Sequence, residues 1–146
     1  MPKLTKESIE KLAREWYDGL DVHAPMLSLI PMLSGDGDLE MKFPEATLKG
    51  LAAFEGWYQG VIRIFFDEVH TVKEVNSEIG GDDTARVKVV VRWEASRWVP
   101  PARYSDRIKL DAYQTWTVKY SDKVQAPVIV TYSVDELKYT DDSARL

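Results

Sequence analysis

The chain contains no cysteine in 146 residues. Disulfides, thiolate nucleophiles and cysteine-ligated zinc are therefore excluded. Long apolar runs are missing too: nothing approaches membrane-spanning length, and MPKLTKESIEKL at the N-terminus lacks the apolar core of a signal peptide. A cytoplasmic protein without a membrane partner is the expectation. Clustered positive charge is also absent. With a formal net charge of −5 and no basic stripe interleaved with aromatics, the chain does not suit phosphate backbones, and nucleic acid is excluded as a partner. Histidine is scarce, with only His23 and His70. There is no HEXXH and no histidine pair at helical spacing, GDGDLE lacks the ligand spacing of a calcium loop, and no recognisable serine turn supports Ser-His-Asp catalysis. Neither metal nor cofactor is expected.

The rest of the composition is that of an ordinary globular protein, with 29% charged and 45% hydrophobic residues. One domain over residues 1–146 is expected, with its core in about 4–139 and a short tail, 140–146, that shows no core pattern. Residues 5–20 read as an amphipathic helix. Ile9, Leu12, Ala13, Trp16 and Leu20 share one face, Thr5 is a plausible N-cap, and Gly19 with DVHAP ends the helix. A short apolar turn or helix follows in PMLSLIPML, then a turn at SGDGD. Residues 39–43 and 45–49 follow as a small strand pair around Pro44. Gly50 opens the strongest helix, on which Phe54, Trp57, Tyr58, Val61, Ile62 and Phe65 keep the i, i+3, i+4 rhythm. Gly56 and Gly60, four apart on it, allow close packing.

After residue 68 the period changes from 3.6 to 2, and strands are predicted at about 69–79, 84–98, 107–120 and 127–139. VPPARYSD, stiffened by two prolines, is a loop able to cover a site. Helices first and strands afterwards argue an α+β fold with the helices on one face of a bent, mostly antiparallel sheet. Alternation puts Val87, Val89, Val91, Trp93 and Ala95 on the concave side. It places Ile108, Leu110, Ala112, Gln114, Trp116 and Val118 there too, together with Val128, Val130, Tyr132 and Val134. The opposite face is mixed polar and β-branched. A homodimer through this outer face would cover Tyr113, Thr115, Ile129 and Thr131.

Chemistry is sparse. In WYDGLDVHAP a carboxylate, Asp21, sits two residues before His23; either the two do acid–base work or the helix simply ends there and His23 lies in a surface loop. The reading leans structural for His23 and functional for Asp21. Alternation sets His70 on the inner side with Val72, either as a hydrogen-bonded core residue or as a cavity group. Gln114 and Tyr132 are polar groups on an apolar face, able to orient a bound polar atom. Trp16, Tyr58, Trp93 and Trp116 are candidates for an aromatic lining, against the alternative of plain core. Asp21 and His70 are thus the candidate catalytic pair. Trp16, Tyr58, Trp93, Gln114, Trp116 and Tyr132 are the candidate ligand-binding set, for a small apolar or aromatic ligand.

The order of elements, with WYDGLDVHAP, LEMKFPEATLKG, AAFEGWYQGVIRIFF and DEVHTVKEV, resembles the nuclear transport factor 2-like superfamily, and within it the SnoaL-like group of polyketide cyclase-like proteins. The resemblance implies a cone-shaped, cystatin-like α+β barrel with an apolar pocket, often dimeric through the sheet. It also implies acid–base chemistry of cyclase, dehydratase or isomerase type, or ligand binding and dimerisation without catalysis. A ketosteroid isomerase comparison puts Trp16, Phe43 and Ala112 at its working positions, and none can do that work. A scytalone dehydratase comparison matches Asp21 to its helix-end aspartate and His70 to the first of its two strand histidines; Trp93, Glu94 and Ala95 stand where the second would be. The Arg-x-Asp of epoxide hydrolases becomes Arg92-Trp93-Glu94, with both charges turned outward by alternation.

Overall fold

Local chemistry starts the first helix. In the computed structural model, which describes residues 3–146, Thr5 caps α1 (Lys6–Asp21) by accepting from the Ser8 backbone N–H, and the Ser8 hydroxyl returns the bond to the Thr5 backbone. This reciprocal box satisfies two N–H groups that the first turn leaves unpaired. Ile9, Leu12, Ala13, Trp16 and Tyr17 form the buried stripe. Gly19 lets Leu29 approach, since a Cβ at that position would stand 3.0 Å from Leu29 Cδ2. The short helix α2 (Met26–Leu29) follows, and a 3-10 turn (Ile30–Met32) leads to the small hairpin β1 (Glu40–Lys42) and β2 (Thr47–Lys49). Gly50, at φ 86°, hands the chain to α3 (Leu51–Ile64).

Four long strands complete the fold: β3 (Phe65–Ile79), β4 (Thr84–Arg97), β5 (Asp106–Ser121) and β6 (Ala126–Tyr139). The sheet order is β2-β1-β6-β5-β4-β3, with β1 parallel to β6 and every other pair antiparallel. This is the expected α+β architecture of helices against a mixed, mostly antiparallel sheet. The core joins α1 to the inner faces of the strands, with Trp16, Tyr17, Phe54, Tyr58, Met41, Ile108 and Trp116 almost wholly buried. Among the described residues no helix is long and apolar enough to cross a membrane.

Several expectations are corrected by irregularities that alternation cannot foresee. Between β5 and β6 the register slips at Thr117 and Val118, so Val118 pairs with Ile129 and Val130 of β6 is passed over. Ile129 therefore enters the core at 0% exposure and Val130 loses the place expected for it; Val128 is buried outside the main cluster. Ile129 cannot belong to an outer contact surface. The α3 face is not simply buried: only Phe54 and Tyr58 are fully covered. Gly56 and Gly60 make no close packing, because a Cβ at either would meet nothing within 4 Å.

The tail and the proline loop exchange their expected roles. Residues 140–146 fold back on the sheet: Thr140 N donates to Lys109 O (3.0 Å), Ala144 N to Arg107 O (3.0 Å), and Arg97 Nη2 to Arg145 O (2.9 Å). The loop carrying Pro100 and Pro101 leaves Trp98, Val99 and Tyr104 exposed and contributes nothing to the lining of the apolar cavity under α3.

The outer sheet face is tied by charge. Arg92 Nε donates to Asp111 Oδ1 (2.6 Å) and Lys73 Nζ to Asp111 Oδ2 (3.1 Å). The Arg92 hydrogen bond, followed by Lys73, holds the Asp111 carboxyl below its ordinary range. A group with a depressed folded pKa stabilises the fold above its unfolded value, and that contribution is lost as pH falls through the folded value. Asp111→Asn is therefore expected to cost about 1 kcal/mol at neutral pH. Urea unfolding at a series of pH values should show the gap narrowing once pH drops below about 4; a gap that persists unchanged in acid contradicts the assignment.

Candidate functional site

Between α3, the inner faces of β3 to β6 and the β1–β2 hairpin lies a cavity of about 490 Å³. This is within the usual range for small-molecule sites. Trp57, Val61, Ile64, Val91, Leu110 and Leu137 make most of its wall apolar, and Gly56 and Gly60 line it from the helix. The glycines contribute to its size through the side chains they lack. Leu146 of the tail also lines it, so the segment expected to carry no core role helps bound the cavity.

One end of the cavity is polar, and α1 and β3 build it together. The last helical residue, Asp21, reaches β3 and holds His70 at two points. Its Oδ1 lies 2.6 Å from His70 Nδ1, and its Oδ2 accepts the His70 backbone N–H at 3.1 Å. An ionised carboxylate only accepts, so Nδ1 carries a ring proton and, in the neutral ring, the lone pair sits on Nε2. His70 lines the cavity, and its Nε2 has no hydrogen-bond partner among the described residues. The ring stacks on Tyr17 (4.8 Å between centroids, 24° between planes) and lies near-parallel to Trp93, 6.3 Å away between centroids. These contacts fix the direction in which the imidazole points.

Beside it stands a second carboxylate–imidazole pair with the opposite orientation. Glu68 precedes His70 by two residues on the same face of β3, lines the cavity, and has a side chain only 4% exposed. Its Oε1 accepts from Trp93 Nε1 at 3.0 Å, and its Oε2 is hydrogen-bonded to His23 Nε2. His23 adopts φ 51°, which aims its side chain back from the helix end, and it keeps 27% of that side chain exposed. His23 is thus paired with Glu68 rather than with its sequence neighbour Asp21. At the root of β3, Asp67 and Glu68 together oppose the single residue Ala95, a bulge whose kink is held by Arg107 Nη1 donating to Asp67 O at 2.7 Å. Bulges of this kind re-aim side chains beside functional sites.

A third polar group closes the inner wall. Tyr17 Oη donates to Gln114 Oε1 (2.8 Å) and lies 3.1 Å from Tyr132 Oη, while Trp116 Nε1 donates to the same Gln114 oxygen at 2.9 Å. Burial pushes the Tyr17 hydroxyl well above the usual phenol range, with Tyr132 adding to the effect. Burial also raises Tyr132, against the opposing influence of its hydrogen-bonding neighbours. Tyr58 is raised by burial, with Glu68 adding to the effect; its hydroxyl donates to Ala24 O at 2.7 Å. All three phenols therefore stay neutral at ordinary pH.

Of the residues singled out from sequence, His70, Tyr58, Trp93, Gln114 and Tyr132 line the cavity, and Asp21 stands behind His70. Trp16 and Trp116 are corrected to core: both are essentially unexposed and pack behind Tyr132, at 6.1 and 5.2 Å between ring centroids. The Asp21–His70 and Gln114–Tyr132 groups make no direct hydrogen bond to each other; Tyr17 joins them by stacking on one and bonding to the other. Glu68 and Tyr17 were missed. Both had a signal: Glu68 is in phase with His70, and Tyr17 is i+4 from Ala13 on the α1 stripe.

No family model matches the chain, and no curated protein matches it in sequence. Solved structures do match over nearly all of it. An aromatic ring hydroxylase candidate from Novosphingobium aromaticivorans superimposes with a TM-score of 0.77 at 14% identity, covering 96% of each chain. A scytalone dehydratase candidate from the same organism gives 0.72 at 17% identity, over 96% of this chain and 88% of that one. The hexachlorocyclohexane dehydrochlorinase LinA gives 0.75 at 13% identity, over 97% and 92%. A nuclear transport factor 2-like superfamily protein from Salmonella enterica gives 0.73 at 11% identity, over 96% and 92%. The chain carries the cystatin-like fold of the nuclear transport factor 2-like proteins.

Proposed function

We propose that the protein is an acid–base enzyme in which His70, backed by Asp21, removes a proton from a small hydrophobic substrate held in the apolar cavity. The observation that carries this reading is the free Nε2 of an imidazole whose other nitrogen is clamped by a carboxylate. Asp21 fixes the tautomer and orientation, and it stabilises the imidazolium formed once the proton has moved. Binding without catalysis would require neither the two-point clamp on His70 nor two aromatic neighbours near-parallel to its ring. The cavity also has room for a ligand, because Trp16 and Trp116 are packed behind its wall. Two of the similar proteins are named for eliminations, of hydrogen chloride and of water, which is consistent with proton removal as the first event.

The test uses 5-nitrobenzisoxazole, an apolar aromatic carbon acid whose ring opens to a coloured phenolate when a base removes its proton. The protein is expected to open it faster than free imidazole at the same concentration and pH. His70→Gln should lower the rate about 10²–10⁴-fold, the usual contribution of a positioned base. Asp21→Asn should lower it by a smaller factor while the fold is retained by circular dichroism. A rate no better than free imidazole, or a His70→Gln protein with undiminished activity, would sink the reading.

The same proposal includes pairing of two copies through the outer sheet face. Tyr113, Thr115 and Thr131 stand there half-buried, on the side of the sheet opposite the main core. Sedimentation at high micromolar concentration should give the mass of two chains, and the mass of one chain would rule the dimer out.

A further inference from the structure

The cavity holds two carboxylate–imidazole pairs of opposite polarity, and only one is used above. Asp21–His70 turns its imidazole inward and keeps its carboxylate behind. His23–Glu68 turns its carboxyl inward and keeps its imidazole toward solvent. Glu68 and His70 share one face of β3 at i and i+2, which puts their Cα atoms about 7 Å apart, and Trp93 contacts both. A nearly buried carboxyl is costly unless its oxygens are hydrogen-bonded, and here each oxygen has one partner. Trp93 only donates and cannot move a proton, whereas His23 can give one up and recover it from solvent.

We infer that Glu68 is the general acid that protonates a departing hydroxyl, that His23 reloads it, and that the substrate class is therefore an apolar compound with a hydroxyl β to its acidic C–H, such as a β-hydroxy carbonyl compound. This rests on the reading of His70 as base. In the step, His70 Nε2 takes the proton from carbon, and the C–H electron pair becomes the new C=C π bond. The carbon–oxygen bond breaks with its pair leaving on oxygen. That oxygen takes the proton of the Glu68 carboxyl and departs as water. The Glu68 carboxylate is reprotonated by the His23 imidazolium, which exchanges with solvent, and His70 gives its proton back to water. Hydroxide is a poor leaving group and needs such an acid; a halide or an aryl oxide leaves without one. The apolar wall suits the body of the substrate, and the inward carboxyl suits its one basic oxygen.

Two substrates that give the same enone separate this from proton removal alone. 4-Hydroxy-4-phenylbutan-2-one loses water, and 4-(4-nitrophenoxy)-4-phenylbutan-2-one loses 4-nitrophenol; both yield 4-phenylbut-3-en-2-one, followed by its absorbance. Glu68→Gln retains an acceptor for Trp93 and removes the acidic proton. It is expected to lower the hydroxy-to-nitrophenoxy ratio of kcat/KM by about 10²-fold or more. His23→Gln, a positioning variant outside the cavity wall, should lower the hydroxy-to-nitrophenoxy ratio of kcat at least tenfold, since reloading follows each turnover, and it decides the matter if Glu68→Gln does not fold. His70→Gln should depress both reactions together. A ratio within threefold of the unsubstituted protein in Glu68→Gln, or in His23→Gln if only that variant folds, overturns the assignment. So does an unsubstituted protein that releases nitrophenol but never water. Failure with both substrates and with 5-nitrobenzisoxazole would instead remove the base, and the acid with it.

Discussion

The two-point hold of Asp21 on His70 is the contact on which the site depends. It joins the last turn of α1 to the first turns of β3, elements separated by α2 and the whole β1–β2–α3 passage. A carboxylate that binds one backbone N–H and one ring nitrogen of the same residue fixes both strand position and ring direction. Bringing a charge to this half-buried place is tolerable because both oxygens are engaged. Tyr17, one turn earlier on α1, then stacks on the ring it has helped to place and carries the order on to Gln114 and Tyr132.

The cavity exists because α3 fails to close against the sheet along its whole length. Phe54 and Tyr58 dock at one end, with Phe54 stacked on Tyr58 at 5.6 Å. Between and beyond them, Gly56 and Gly60 offer no side chain to fill the space and Trp57 turns aside to stack on Phe43 at 4.1 Å. Close packing is the norm for protein interiors, so a cavity of this size lined by apolar groups is the feature on which the proposed binding of a small ligand rests.

The polar groups around that void are ordered by what backs each of them. In the proposed reaction, the carboxylate behind His70 makes it a base pointing inward, and the imidazole behind Glu68 makes it an acid pointing inward. The neutral phenols can donate and accept without adding charge. Set in an apolar wall, such differences in orientation assign separate roles to chemically similar pairs.

Much of this was legible in the chain itself. Periodicity placed α1, α3 and the four long strands, because burial on one face imposes 3.6 or 2 on the order of apolar residues. The same period turned His70 inward, and the helix-ending position of Asp21 marked it as a group with freedom to reach elsewhere. Local pattern could not show the bulges at Asp67–Glu68 and in β6. Each adds one residue to one strand only, a consequence of pairing with a partner far along the sequence. Starting β3 at Val69 hid Glu68, and strict alternation kept Val130 in a place the slip gives to Ile129. Nor could sequence tell that Trp16 and Trp116 fill the core while Trp93 borders open space, since the same aromatic side chain suits either role. Which imidazole faces the cavity, and which carboxylate stands behind it, was decided only when residues 45 and 49 positions apart were brought into hydrogen-bond contact.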